Sequence, residues 1–259
     1  MILVGTSGFS YDDWDGIFYP SGTPPGRRLN FYATKFKTTE INSTFYRIPS
    51  PSTMSSMARR TPPDFEFSVK LYGGITHSRE EGAEAKFREA IKPLLDSGKL
   101  GCILAQFPWS FKRTEENINL ILRIKDAFHD IPLVVEFRNR EWIKEETFEF
   151  LERNEMGFCC VDEPPLPGLI PPVAKATSRV GYVRFHGRNR EKWWKHEEAW
   201  ERYDYLYSEE ELRGWIPKIK DIDSKTEKTY VFFNNHRNAK GAINAQMLME
   251  MIGEMPRVR

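Results

Sequence analysis

The chain of 259 residues is 40% hydrophobic and 14% aromatic, enough for one barrel-sized core or two smaller ones. Lys and Arg number 38 against 37 Asp and Glu, a net charge of +1, so no general field draws it to nucleic acid or an anionic membrane. No apolar run approaches the ~20 residues that span a bilayer, and MILVGTSGFSYDDW has no basic start followed by a long apolar stretch, so a cytoplasmic location is expected.

Eight short runs read as strands, with Val, Ile, Leu, Phe and Tyr cores suited to burial on both faces. In chain order they are Ile2–Gly5, Thr38–Ile41, Phe65–Lys70, Gly101–Gln106, Leu133–Phe137, Phe158–Asp162, Gly181–His186 and Thr229–Asn234. Amphipathic segments lie between them. Glu80–Ser97 sets Ala90, Ile91, Leu94 and Leu95 at helical spacing and stops at Gly98. Thr114 caps a second helix, with Glu115 and Glu116 in its first turn. Glu145–Asn154 and Ser208–Lys220 repeat the pattern, the latter opening on a Ser208/Glu211 capping box, and Ala239–Ile252 closes the chain. The stretches after the first, second and sixth strands are less regular.

Strand then helix, eight times in roughly 250 residues, predicts an α/β fold: a single (β/α)8 TIM barrel over residues 1–259. Its parallel eight-stranded sheet carries a long aromatic insertion, Gly187–Tyr207, after strand seven. An open doubly wound sheet is the rival, but Gly5-Thr6-Ser7-Gly8 leads into FSYDDW rather than a helix. Cys102, Cys159 and Cys160 fall within strands and read as reduced, buried thiols.

Barrel enzymes gather their active sites at the C-terminal ends of the strands, and there this sequence turns polar. Ser7 follows the first strand, Glu40 and Asn42 close the second, Lys70 the third and Gln106 the fourth. Glu136 and Arg138 end the fifth, Asp162 the sixth, Arg184 and His186 the seventh, Asn234 and Asn235 the eighth. Any one of these is as readily an ion pair or a turn cap. Eight together, converging on one rim, predict a pocket.

The stretches GTSGFSYDDWDGIFYP, TTEINSTFYRIPSP, FEFSVKLYGGITH, GCILAQFPWSF, VVEFRNREW, YVRFHGRN and YVFFNNHRNAKGAINA resemble, in that order, the motif series of the YecE-like family. The resemblance runs from Ile2 to about Met249. It implies a TIM barrel and brings no reaction with it, because the family is defined as a domain of unknown function. Where the family often has Trp after the glycine of the first motif, this chain has Phe9.

Glu40, Lys70, Glu136, Asp162 and His186 are the expected catalytic groups, since carboxylates with a cation beside one member separate into an acid and a base. Such pairs suit hydrolysis or isomerisation of a sugar-like substrate. Ser7, Asn42, Tyr46, His77, Gln106, Arg138, Arg184, Asn234 and Asn235 are expected to bind it, with Trp14, Trp109 and Trp142 stacking on sugar rings or bases. The loop from Asn234 to Gly241 leads into the last helix and predicts a phosphate site of Arg237, Lys240 and Gly241, joined by Arg188. No HxH or HExxH occurs, so the metal expectation stops at a single weakly held divalent ion beside His186. The insertion reads as a flap over the mouth. The expected function is an enzyme, a hydrolase, lyase or isomerase, using carboxylate/His acid–base chemistry on a small phosphorylated or sugar- or nucleotide-containing ligand. The alternatives are a nucleic-acid-binding protein without catalysis and a metal-dependent, endonuclease-like phosphodiester hydrolase.

Overall fold

Each of the eight β-branched and aromatic runs is a strand in the computed structural model, which describes residues 1–253. They are β1 (Ile2–Thr6), β2 (Thr38–Ile41), β3 (Glu66–Lys70), β4 (Leu100–Gln106), β5 (Leu133–Glu136), β6 (Gly157–Asp162), β7 (Val180–Phe185) and β8 (Lys228–Phe233). All ladders are parallel, in the order β1-β8-β7-β6-β5-β4-β3-β2, with helices outside. This is a TIM barrel whose sheet is continuous except at one seam. Among the described residues no helix is long and apolar enough to cross a membrane.

That seam lies between β1 and β2. Only the Ser7–Glu40 bridge pairs them, the Gly8 N–H donating to the Glu40 carbonyl at 2.7 Å. Below it the Tyr32 hydroxyl stands in for ladder bonds: it accepts from the Thr6 N–H at 2.9 Å and donates to the Thr38 carbonyl at 3.1 Å. Gly5 is required there by closeness, because a Cβ would sit 2.3 Å from the Thr38 oxygen.

The helices follow the apolar periodicity closely. Ala83–Asp96 and Glu115–Ala127 form as expected, and Thr114 caps the second by accepting from the Asn117 N–H at 3.3 Å. Ser208–Lys220, expected as one helix, is two, Glu209–Arg213 and Ile216–Asp223. Pro217 sits at the start of the second, where its missing N–H does no harm but cannot extend the first. Between β6 and β7 no helix forms: Pro164, Pro165, Pro167, Pro171 and Pro172 deny it the backbone donors it would need. All three cysteines are free and buried.

Candidate active site

Side chains alternate across a strand, so parity decides what enters the barrel. Tyr182, Arg184 and His186 share the inner face of β7; Glu136 and Arg138 do so on β5, and Glu40 and Asn42 on β2. Near the C-terminal end these meet in one buried ion cluster. Arg184 donates from Nη1 to Glu136 Oε2 and from Nη2 to Glu40 Oε1, both at 2.6 Å. Glu40 Oε2 accepts from the Tyr182 hydroxyl at 2.7 Å, and that hydroxyl lies 2.7 Å from Ser68 Oγ. Arg138 Nε lies 2.6 Å from Glu136 Oε1, and its Nη1 reaches Glu163 Oε2 at 3.3 Å. Burial alone would raise Glu136, but Arg138, Arg184 and His186 outweigh it and hold the carboxyl well below the usual range.

His186 was expected to act as a base, and the structure corrects that. It is fully buried, with Nε2 3.1 Å from Glu136 Oε1 and Nδ1 3.2 Å from the Asn234 amide nitrogen. Burial, and then Arg138, pull it down to about 3, so it is a neutral ring donating through Nε2 and accepting at Nδ1. Asn234 Oδ1 in turn accepts from Asn42 Nδ2 at 3.4 Å. His186 therefore positions groups and has no nitrogen free for substrate.

Above the cluster the mouth opens into two lobes. The first, about 360 Å³, is lined by the Gly8–Tyr11 loop, Asn42, Lys70, Arg138, Arg184 and Asn234. The second, about 300 Å³, is walled by Phe45, His77, Gln106, Trp109 and the insertion residues Trp193, Trp194 and Arg202. Tyr46, Lys70, Arg138 and Tyr203 belong to both. Neither lobe has a carboxylate in its lining. Lys70 stands at the junction with Nζ 4.3 Å from the centre of the Phe45 ring and, among the described residues, no acid paired to it. Burial, followed by Arg184, pulls its amine down to about 7, further than Glu136 and Glu40 raise it. In the centre of the cluster Arg184 Nε and Asn42 Oδ1 are buried without partners.

The strand-end residues thus converge: Ser7, Glu40, Asn42, Tyr46, Lys70, His77, Gln106, Glu136, Arg138, Arg184 and Asn234 all lie in the lobes or directly beneath them. Others do not. Asp162 points outward, where Oδ1 accepts from Arg188 Nε and Tyr207, both at 2.8 Å, and Oδ2 from Arg188 Nη2 at 2.6 Å and Trp215 at 2.7 Å. It fastens the insertion to the barrel. Asn235, also outward, bonds Tyr205 and Asn244. Trp14 and Trp142 are fully buried, their indole N–H groups donating to the carbonyls of His236 and Phe111 at 2.7 Å, so neither offers a stacking face.

The expected phosphate site is already filled by the chain's own carboxylates. Asp13 accepts from the Asn238 N–H at 2.7 Å and lies 3.5 Å from Arg237; Asp204 takes Lys240, and Asp162 with Glu211 takes Arg188. Gly241 serves packing, since a Cβ there would come within 3.3 Å of the Phe233 carbonyl. Among the described residues no group of three His, Cys, Asp or Glu is placed to hold a metal ion. One site residue was missed, Glu163. Two places beyond Val161, it shares the inner parity of β6, and burial pushes it up to about 7.

A family profile described as "Protein of unknown function DUF72" matches residues 3–258. The UPF0759 protein YunF of Bacillus subtilis (strain 168) is 32% identical over 271 aligned residues, covering 97% of this chain and 95% of that protein. The crystal structure of a DUF72 family protein from Thermotoga maritima MSB8 superposes with a TM-score of 0.91 at 41% identity, covering 98% of this chain and all of that one, 100%. A second, from Enterococcus faecalis V583, gives 0.88 at 27% identity, with 98% and 96% covered.

Proposed function

The chain belongs to the DUF72 family of proteins of unknown function, the YecE-like group its motifs resemble, and from that premise we propose that it is an enzyme working from the two-lobed mouth of the barrel. Its substrate is a small, hydroxyl-rich molecule bearing a phosphate or carboxylate. Lys70 moves the proton, in a reaction of the isomerase or lyase type.

The observation that carries this reading is the Lys70 amine. A lysine facing a cavity, with no acid partner and a value near neutrality, is present in both forms at physiological pH. The neutral amine accepts a proton from a C–H or O–H of the substrate, and the ammonium returns one. Arg138, only 11% exposed, faces the same lobes and offers its guanidinium to the substrate's anionic group. Glu40 and Glu136 work one layer down. They hold Arg184 in place, and its charge adds to burial in lowering the Lys70 amine while their own charges oppose it. The absence of carboxylates from both linings favours an anion over a cation as the ligand.

Competitive labelling of lysines with acetic anhydride across a pH series, read by peptide mass spectrometry, tests the assignment. Lys70 should titrate near 7, while Lys92, which Asp96 raises above the ordinary lysine value, should titrate far higher. A Lys70 midpoint at the ordinary lysine value would remove its role as a proton carrier.

A further inference from the structure

The second lobe differs in kind from the first, and we infer that the site takes a two-part ligand of the nucleoside monophosphate class. The phosphorylated sugar lies in the first lobe and the base on the aromatic wall of the second. This deepens the reading of the mouth as an anion-binding active site and rests on it.

Large aromatic rings are normally covered, and a cluster of exposed ones marks a surface awaiting an apolar partner. Three ring systems reach solvent at this lobe: Tyr46 is 81% exposed, Trp194 51% and Trp109 42%. Trp109 and Trp194 are held against each other. Trp109 donates through Nε1 to the Gly168 carbonyl at 3.2 Å, Lys112 Nζ lies 4.5 Å from its ring centre, and Trp194 meets it edge-on with centroids 6.0 Å apart. Gly168 permits this seat, because a Cβ there would press on the indole at 3.3 Å.

A fixed aromatic wall could serve a sugar face as well as a base. The edges of the lobe decide between them. Gln106 gives its amide nitrogen to the Phe107 carbonyl at 2.7 Å, which leaves its oxygen without a partner among the described residues. His77 uses Nδ1 on Thr76 at 2.9 Å, which leaves Nε2 in the same position. An acceptor and a ring nitrogen at the rim of a stacking surface suit the donor and acceptor edge of a planar heterocycle. The two lobes meet at Lys70 and Arg138, so base and phosphate would be bridged by a sugar lying over the amine. A polymer would need a basic track leading away from the mouth. Arg188, Arg237 and Lys240, on the loops after the last two strands, are each paired to a carboxylate and form no such track, which favours the mononucleotide.

Isothermal titration with adenosine and uridine monophosphates, ribose 5-phosphate and a short oligodeoxynucleotide, on wild type, Trp194→Ala and Lys70→Met, tests this. The monophosphates should bind about tenfold or more tighter than ribose 5-phosphate, the step that base stacking supplies. Trp194→Ala should erase that advantage and leave ribose 5-phosphate binding unchanged, whereas Lys70→Met should weaken both. Trp194 is half exposed, and an unchanged unfolding midpoint will confirm that its variant is folded. Nucleotides binding no better than a ribose 5-phosphate that still depends on Lys70 would overturn the two-part ligand and leave the anion site standing. If no probe binds, the inference falls, and the Lys70 titration decides the active-site reading by itself. An oligonucleotide binding tighter than the mononucleotides, with steep salt dependence, would overturn it in favour of nucleic acid.

Discussion

Two clusters of buried charge stand back to back on one wall of the barrel. On the outer face Asp162 accepts four hydrogen bonds, from Arg188 twice, Tyr207 and Trp215, and both its oxygens are used. On the inner face Glu40, Arg184 and Glu136 are just as buried and just as tightly paired. Yet Arg184 Nε and Asn42 Oδ1 find no partner there, and Lys70 has no acid. Since buried polar groups in folded proteins are overwhelmingly satisfied, the incomplete cluster is the one that awaits something from outside. The central carboxylates are equally deep in the two, although the outer cation, Arg188, is 31% exposed and Arg184 only 1%. Completeness separates them.

The sharpest way to break the comparison is to remove the keystone of each cluster. Arg184→Met leaves two carboxylates buried without their cation and should destabilise by about 3–5 kcal/mol in urea unfolding. The deficit should shrink in acid. Glu136 lies below its unfolded value in the wild type, so its contribution is present above about 4.5 and is lost as pH falls. Without Arg184 that carboxyl rises, and protonation relieves the variant. Asp162→Asn removes a brace whose partner Arg188 is 31% exposed and can be hydrated, so about 1–3 kcal/mol is expected. It should leave the Lys70 midpoint near 7, and a large shift there would show the clusters to be coupled.

Smaller effects sharpen the contrast within the inner cluster. Lys70 lies below its unfolded value, so the unfolded chain binds the extra proton between about 7 and the ordinary lysine value, and stability rises with pH through that window. Lys70→Met should lose this rise and be no less stable than wild type at neutral pH, as expected where a functional group is held against its preference. Glu163 is displaced the other way. Its folded value of about 7 exceeds the unfolded one, so stability is greatest in acid and falls as pH rises from about 4.5 to 7. Glu163→Gln should flatten that fall, the smallest change of the four, readable as a loss of slope in the thermal midpoint against pH.

Much of this was legible in the residues. The strands announced themselves through runs such as TYVFF and LVVEF, and a polar residue at each strand end placed the site. Parity was the step that failed. Asp162 and Asn235 were assigned inward because they stood at strand ends, although the alternation through Val161 and through Asn234 turns them out and Glu163 in. Trp14 and Trp142 show a second boundary: a loop tryptophan is exposed or buried according to what packs over it, and Phe111, which stacks on Trp142 and accepts its indole N–H, comes from the loop after the preceding strand. Pairing was the third. That Asp13 would occupy the N–H of Asn238 depends on a contact across the whole length of the chain, closed only when the barrel closes.

The stave joint at Tyr32 has a consequence for motion. Seven junctions in the sheet are zipped by repeating main-chain bonds, but this one hangs on one phenol, the Thr39 hydroxyl and a single bridge. Breathing of the cylinder should therefore begin there, and amides of Thr6 and Gly8 should exchange with deuterium ahead of their counterparts on the other strands. The loop carrying Phe9 to Tyr11 hangs from that same joint, so one rim of the first lobe inherits whatever play the cylinder has.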